Sequence, residues 1–410
     1  MFFRLLIWIT LILICFPALA DTAIGYRLFA KSSQANSTSI FNVTDENDSF
    51  SHSQLNELYA KLQVKGFNLL ATYNVTFNED RETEDDGVLN EAYYDFSASS
   101  LDFTIGKKVL SWGVGYGFRP LDLIQQENRR VLISQNLEGV LLTSAEYYTG
   151  NSAISFLITN RELISDRQSR SKDHEAAVKL YSLYNDWDLH GVGHYSEVFG
   201  ASFGLGFSTI VGDELEVHAS STYRSRYHKL INVLTESNET FALTDPVYEK
   251  HYNDCINAVL GFSWTFQSGI TVIGEAWHDC TAYTYSEWAA MRDLTKQQQL
   301  LLSSLPQAAQ DATETQIQGN QRYFNQANIL QNNLFTRLSY DGEKTDPYLD
   351  VLLTPDDGGV VLSTSIEHEI KQNILLYANA RYFTGRSSSA YKQLGNRALI
   401  YLGFRAEFVL

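Results

Sequence analysis

Along residues 256–266 apolar side chains recur at every second position: Ile256, Ala258, Leu260, Phe262, Trp264 and Phe266, interleaved with Asn257, Gly261, Ser263 and Thr265. A period of two is the signature of a β-strand with two unlike faces. After Gln267-Ser268-Gly269 the pattern resumes, with Ile270, Val272 and Ala276 on one face and Thr271, Glu275 and Asp279 on the other. Phe203, Leu205 and Phe207 oppose Ser202, Gly204 and Ser208. A Gly212-Asp213 turn then leads to Leu215, Val217 and Ala219 against Glu214, Glu216 and His218. Near the end, Ile374, Leu376 and Ala378 oppose Tyr377, Asn379 and Arg381. One apolar and one polar face per strand is what a barrel needs if lipid surrounds it and water fills it.

The spacing of the turns points the same way. Short links fall near residues 65–66, 99–100, 150–151, 185–186, 212–213, 268–269 and 372–373, and longer polar segments span 78–88, 110–138, 162–174, 227–253, 283–332 and 385–396. Alternating short turns and long loops is the arrangement of outer-membrane barrels. Seventeen candidate strands follow from Gln54 onward and at least one precedes it. An even count gives an all-β, transmembrane, antiparallel up-and-down β-barrel of about 18 strands, or 16 if weak segments such as 346–353 are not strands. The last residues keep the alternation, with Leu402, Phe404, Ala406, Phe408 and Leu410 opposite Tyr401, Arg405 and Glu407. Such a closing strand is expected to be read by the barrel-assembly machinery.

Composition removes the competing classes. With 19% charged residues, 24 Tyr, 23 Phe and a net charge of −17, the chain is neither disordered nor a nucleic-acid binder. A mean hydropathy of −0.20 excludes a bundle of membrane helices, which needs several long apolar runs. The one such run is at the start: Arg4, an apolar stretch, Pro17, then Ala18-Leu19-Ala20 before Asp21. It reads as a secretory signal peptide, cleaved near Ala20, leaving a barrel over 21–410. Ile14 before Cys15 argues against lipoprotein processing. Without Arg4 the mature charge is 30 − 48 = −18. The expected location is the Gram-negative outer membrane, with lipid and lipopolysaccharide as neighbours.

The segment 106–122, Gly-Lys-Lys-Val-Leu-Ser-Trp-Gly-Val-Gly-Tyr-Gly-Phe-Arg-Pro-Leu-Asp, resembles an element of porin-like bacterial barrels, where a Gly-Lys strand runs into Trp-Gly and a Pro-containing loop. Alginate-export-type porins and related uncharacterised barrels share this layout. The loop lacks the full motif of the alginate exporters, so their polysaccharide substrate is not carried over. The resemblance implies a porin-like channel through which small hydrophilic solutes diffuse. Glycines allow the close approach and left-handed dihedrals that a loop tucked into a lumen needs. Arg119, Arg129 and Arg130 would then face an anionic solute; in an external loop they would instead pair with acids such as Asp122 and Glu127.

Reading inward faces from the alternation gives the remaining candidate channel-lining residues: Lys108, Arg161, Arg224, Arg337, Arg381 and Arg405 among the bases, Glu275 and Glu367 among the acids. The full sets nearly balance, so the expected pore is neither greasy nor strongly single-signed. Catalytic patterns fare poorly. Gly200-Ala201-Ser202-Phe203-Gly204 matches a nucleophile elbow, but it lies inside an alternating strand. Gly113, Gly115 and Gly117 lack dinucleotide-binding spacing, and His368-Glu369 lacks a second metal-binding His. His190 and His194 share one strand face beside Asp188 and read as lumen-lining, not as a metal site. The acidic runs 79–86 and 45–48 read as solvated loop tips. No enzyme, cofactor or metal is indicated, and a homo-oligomer is left open.

Two features stay unassigned. In 283–332, Trp288, Met291, Leu294 and Leu300 to Leu302 suggest a helix stopped by Pro306, in a segment placed to plug the lumen, cap it or bind a partner. With 227–253, that segment supports the alternative reading of an adhesin, receptor or assembly scaffold. Cys255 and Cys280 stand at nearly the same height on one hairpin, yet strict alternation puts them on opposite faces, so a disulfide needs a bulge or fraying there.

Overall fold

The computed structural model describes residues 21–43, 49–79, 82–127, 130–133, 136–160, 173–237, 239–302 and 304–409. The expected signal peptide, Arg129, Arg161 and the acidic run 45–48 lie outside these residues. Among the described residues eighteen strands form a single sheet. They are β1 Asp21–Ala35, β2 Phe50–Val64, β3 Phe67–Asn78, β4 Glu84–Ala98, β5 Leu101–Lys108 and β6 Val140–Thr149. Next come β7 Ser152–Asn160, β8 His174–Tyr184, β9 Trp187–Ser196, β10 Gly200–Val211, β11 Leu215–Asn232 and β12 Val247–Thr265. The last six are β13 Ile270–His278, β14 Asn332–Tyr340, β15 Thr345–Thr354, β16 Gly359–Lys371, β17 Ile374–Gly385 and β18 Asn396–Val409. Each pairs antiparallel with its sequence neighbours, and β1 also pairs with β18, Ala23 opposite Val409. The sheet therefore closes and has no free edge.

Burial is inverted relative to a water-soluble protein, as the alternation requires. On β12 Ile256 and Leu260 are 59% and 60% exposed, while Asn257 between them is 1% exposed. The apolar face meets lipid and the polar face lines the interior. Tight turns close one end: Lys65 and Gly66 both have positive φ, 43° and 87°, the geometry of a two-residue hairpin turn.

The other, outer end departs from expectation in four places. The segment 78–88 is not a long loop: β4 begins at Glu84, so Asp85 and Asp86 are strand residues. Nor does 227–253 form one. The strands β11 and β12 run on to Asn232 and from Val247, pairing Tyr227 with Tyr252 and Lys229 with Lys250. Polar residues on both faces hide this extension, which carries the hairpin beyond the apolar band. The connections 197–199 and 355–358 are short, so loop length does not alternate strictly.

The insertion between β13 and β14 is helical, with α1 Tyr285–Leu302 and α2 Gln307–Asn320. Thr284 and Glu287 form a reciprocal capping box: the Thr284 amide donates to Glu287 Oε2 at 2.7 Å and the Glu287 amide to Thr284 Oγ1 at 3.2 Å. α1 ends at Leu302, and Pro306 is the N-cap of α2 rather than the stop of α1. The pair sits on the outer connections. Trp288 Nε1 donates to Ser388 O at 2.9 Å, Gln299 to Ile40 O and Asn42 O at 2.9 Å, and Gln298 to Thr240 O at 3.0 Å. The Gln-rich composition thus satisfies backbone carbonyls of irregular loops. Beneath it, Phe41, Trp288, Met291, Leu294 and Tyr323 pack in one apolar cluster that continues to inward wall residues Val259, Trp277, Phe335 and Leu352.

A disulfide joins Cys255 to Cys280, with Cα atoms 5.7 Å apart. Of the bulge or fraying that the alternation called for, it is fraying that is present: Cys280 lies beyond His278, where β13 has ended. The β11–β12 register runs unshifted past Cys255, from Arg224–Cys255 to Arg226–Asn253, with Asp254 at φ 58°.

Candidate functional site

The chain between β5 and β6 turns into the lumen and touches three separate parts of the wall. Its first stretch folds around Asp122, whose Oδ1 accepts from the amides of Trp112 at 2.6 Å and Gly113 at 2.7 Å. Burial pushes the Asp122 carboxyl above its ordinary range, opposed by those two amides and by Arg119. Arg119 donates from Nε to Gly115 O at 2.9 Å and also bonds Ser111 Oγ, so it braces the loop on itself.

On the far wall Glu275 of β13 accepts from the amides of Tyr116 at 2.5 Å and Gly117 at 2.7 Å, and its Oε1 lies 2.9 Å from His218 Nε2 on β11. Thr222 Oγ1 donates to Pro120 O at 2.9 Å. Leu121, fully buried, lies against β10 where Gly204 and Gly206 leave room; a Cβ on either would stand 2.5 or 2.9 Å from the leucine methyls. Gly204 is the last residue of the apparent nucleophile elbow. Ser202 sits mid-ladder between His194 and Arg224, not on a turn into a helix.

The return stretch is held by the near wall. Asn90 Nδ2 donates to Asn136 O at 2.9 Å and Leu137 O at 3.2 Å, and Asn136 Nδ2 reaches Glu57 at 3.2 Å. Between these anchors Arg130 donates to Asn328 Oδ1 at 2.8 Å and to Ala327 O, and its guanidinium lies 5.4 Å from the Trp277 ring centroid. Arg130 thereby links the lumen loop to the base of the helical insertion.

Of the residues expected to line a channel, Arg130, Arg337 and Arg381 come together. Arg337 grips Asp350 through two bonds of 2.7 and 2.8 Å, a bidentate pairing that fixes both partners. Arg381 donates to Ser363 Oγ at 2.8 Å and to Arg130 O. Asp350, Ser363, Arg130 and Arg381 line a cavity of about 100 Å³ shared with Tyr391. Lys108 lies apart, 3.4 Å from Asp95 and 4.6 Å from the Tyr93 ring centroid. Arg405 stands across from Arg27, Glu367 across from Asp346, and Arg224 across from Cys255. Wider depressions of about 590 Å³ lie among Phe103, Phe156, Ile158 and Phe203 on the lipid-facing surface, away from the lumen.

Comparison with known proteins rests on structure alone, since no family model and no curated protein matches the sequence. The barrel superposes on a BenF-like porin from Pseudomonas fluorescens Pf-5 with a TM-score of 0.55 at 7% identity, covering 95% of this chain and 99% of that one. The fold is that of a porin. Pseudomonas aeruginosa OccK5 (OpdH) gives 0.54 at 8% identity over 96% and 98% of the two chains, and Acinetobacter baumannii OccAB1 0.54 at 8% over 95% and 97%.

Within this porin fold the alternation missed several participants. Arg27 and Glu57, joined at 2.9 Å, face inward on β1 and β2. The apolar alternation of β1 is weak, so its inward face was not legible, although Glu57 follows the same period as Tyr59 and Lys61. Asn90, Thr222 and Leu121 carry no sequence signal, because each matters only through a partner far along the chain.

Proposed function

We propose that this chain is a passive channel of the Gram-negative outer membrane for small hydrophilic solutes, and not an enzyme. One observation carries the reading: a closed 18-strand barrel with a polar inner face, narrowed by a loop held inside it. A barrel of this size encloses an aqueous channel. Some of its inner bases are paired with acids, as in Arg27–Glu57 and Arg337–Asp350, and the inward bases and acids nearly balance, so the expected ion preference is weak. The run 1–20 would direct export, lipid and lipopolysaccharide would cover the apolar band, and β18 would present the assembly signal. Single-channel recording of the refolded protein in a planar bilayer, with a salt gradient, tests this. Stable steps with a small reversal potential support it. Silence relieved by removing 283–332 indicates a channel closed by its insertion, and silence in both forms moves the reading to a receptor or adhesin.

A further inference from the structure

Glu275 is buried to 4% exposure and directs both carboxylate oxygens at the lumen loop. Its partners there are main-chain amides of two successive residues, Tyr116 and Gly117, a concave pair of N–H groups of the kind that binds anions. The loop is shaped for this. Gly115 has φ +113°, and a Cβ there would stand 2.5 Å from Phe118 O. Gly117 presses so close that a Cβ would be 3.1 Å from Glu275 Oε2 and 3.1 Å from the Trp277 ring. On its other side the carboxylate meets His218 Nε2 at 2.9 Å.

We propose that Glu275 is the positioning residue of the lumen loop, holding it against the β11–β13 wall through the negative charge it offers to these two amides. The proposal rests on the channel reading for its consequence, which is that Glu275 sets the aperture without facing the solute. The charge matters because an amide side chain of the same shape offers one acceptor and turns an NH₂ toward the second N–H. Hydrogen bonds to an ionised acceptor are also about twice as strong as neutral ones. The other charged or titratable groups facing this point are Glu216 on β11, 3.7 Å from His218 Nδ1, Tyr116 on the loop, 3.4 Å from Glu216, and Arg337 on β14, whose charge interacts with Glu275. Replacing the carboxylate by a neutral amide is expected to release the loop.

The test places a reporter cysteine at Leu121, which is fully buried only while the loop is docked, and follows its labelling by a maleimide relative to a reporter at Leu243, which is 96% exposed. In folded barrels, identified by heat-modifiable mobility, Glu275→Gln should raise the labelling ratio on the order of tenfold or more, the loss of one bond to a charged group. Glu275→Asp, which keeps the charge, should raise it far less. In parallel, single-channel recordings of Glu275→Gln should show added current noise relative to the parent protein and to Glu275→Asp. Should Glu275→Gln not fold, Tyr116→Pro in the Leu121→Cys protein decides, since it removes one of the two donor amides and keeps the carboxylate: a rising ratio supports the proposal and a flat one overturns it. A folded Glu275→Gln barrel that labels at the parent rate also overturns it. Increased labelling in a protein that never conducts leaves the loop assignment standing and removes only the channel reading.

Discussion

Two segments fill the outer half of this barrel, and they are held by opposite means. The helical insertion brings its own core: Trp288, Met291, Leu294 and Tyr323 are buried together, and a capping box starts the first helix. The lumen loop instead buries its apolar residues against the wall, Ile124 on Leu142 and Leu157, Leu121 and Leu123 with Val192. Groups on the wall also reach its backbone, namely Glu275, Thr222, Asn90 and Arg381. A self-cored segment should lose its order when a core residue is lost, whereas a segment held by its host should move when the host changes.

Four experiments sharpen or break that contrast. The largest effect is expected from Trp288→Ala, a truncation of a fully buried aromatic, which should weaken the insertion by about 3–5 kcal/mol. Limited proteolysis should then cut within the helices while the barrel keeps its heat-modifiable mobility; loss of the whole barrel would show that the insertion is not a separate unit. Replacing both Cys255 and Cys280 by Ser should cost about 2–4 kcal/mol, seen as faster proteolysis at the base of the insertion and not in the lumen loop. Gly204→Val should displace Leu121 at a cost of about 1–3 kcal/mol, with single-channel conductance shifting while the insertion resists protease as before. An unchanged conductance would mean that the loop does not set the aperture.

The smallest effect concerns pH. The Arg322 guanidinium holds the Asp245 carboxyl below the usual carboxylate range. A depressed acid contributes stability that is present at neutral pH and lost as pH falls through its folded value. Because the pair is exposed, the change is small. Asp245→Asn should flatten the acid limb of the insertion's protease sensitivity and leave that of the loop untouched.

The same contrast explains what could be read from the sequence. The barrel was legible because most strands advertise themselves within ten residues, as in 256–266, and the insertion because Trp288, Met291 and Leu294 recur at helical spacing. The overlong β11–β12 hairpin was not, since Lys229, Lys250, His228 and His251 break the apolar period above the membrane. The lumen loop offered its glycines and arginines but not its destination. Tyr116 and Glu275 are 159 residues apart, and nothing in either neighbourhood names the other. Arg130 was among the expected channel-lining residues, yet its link to Asn328, 198 residues away, was equally silent.

Holding a segment by its amides has a consequence for how such a protein can change over time. Every residue except proline supplies the same N–H, so the side chain of Tyr116 can be exchanged without altering the bond its backbone makes to Glu275. The width of the passage and the chemistry of its lining are therefore separately adjustable. Lineages could vary the chemistry of the lumen lining, substitution by substitution, while inheriting one fixed gauge.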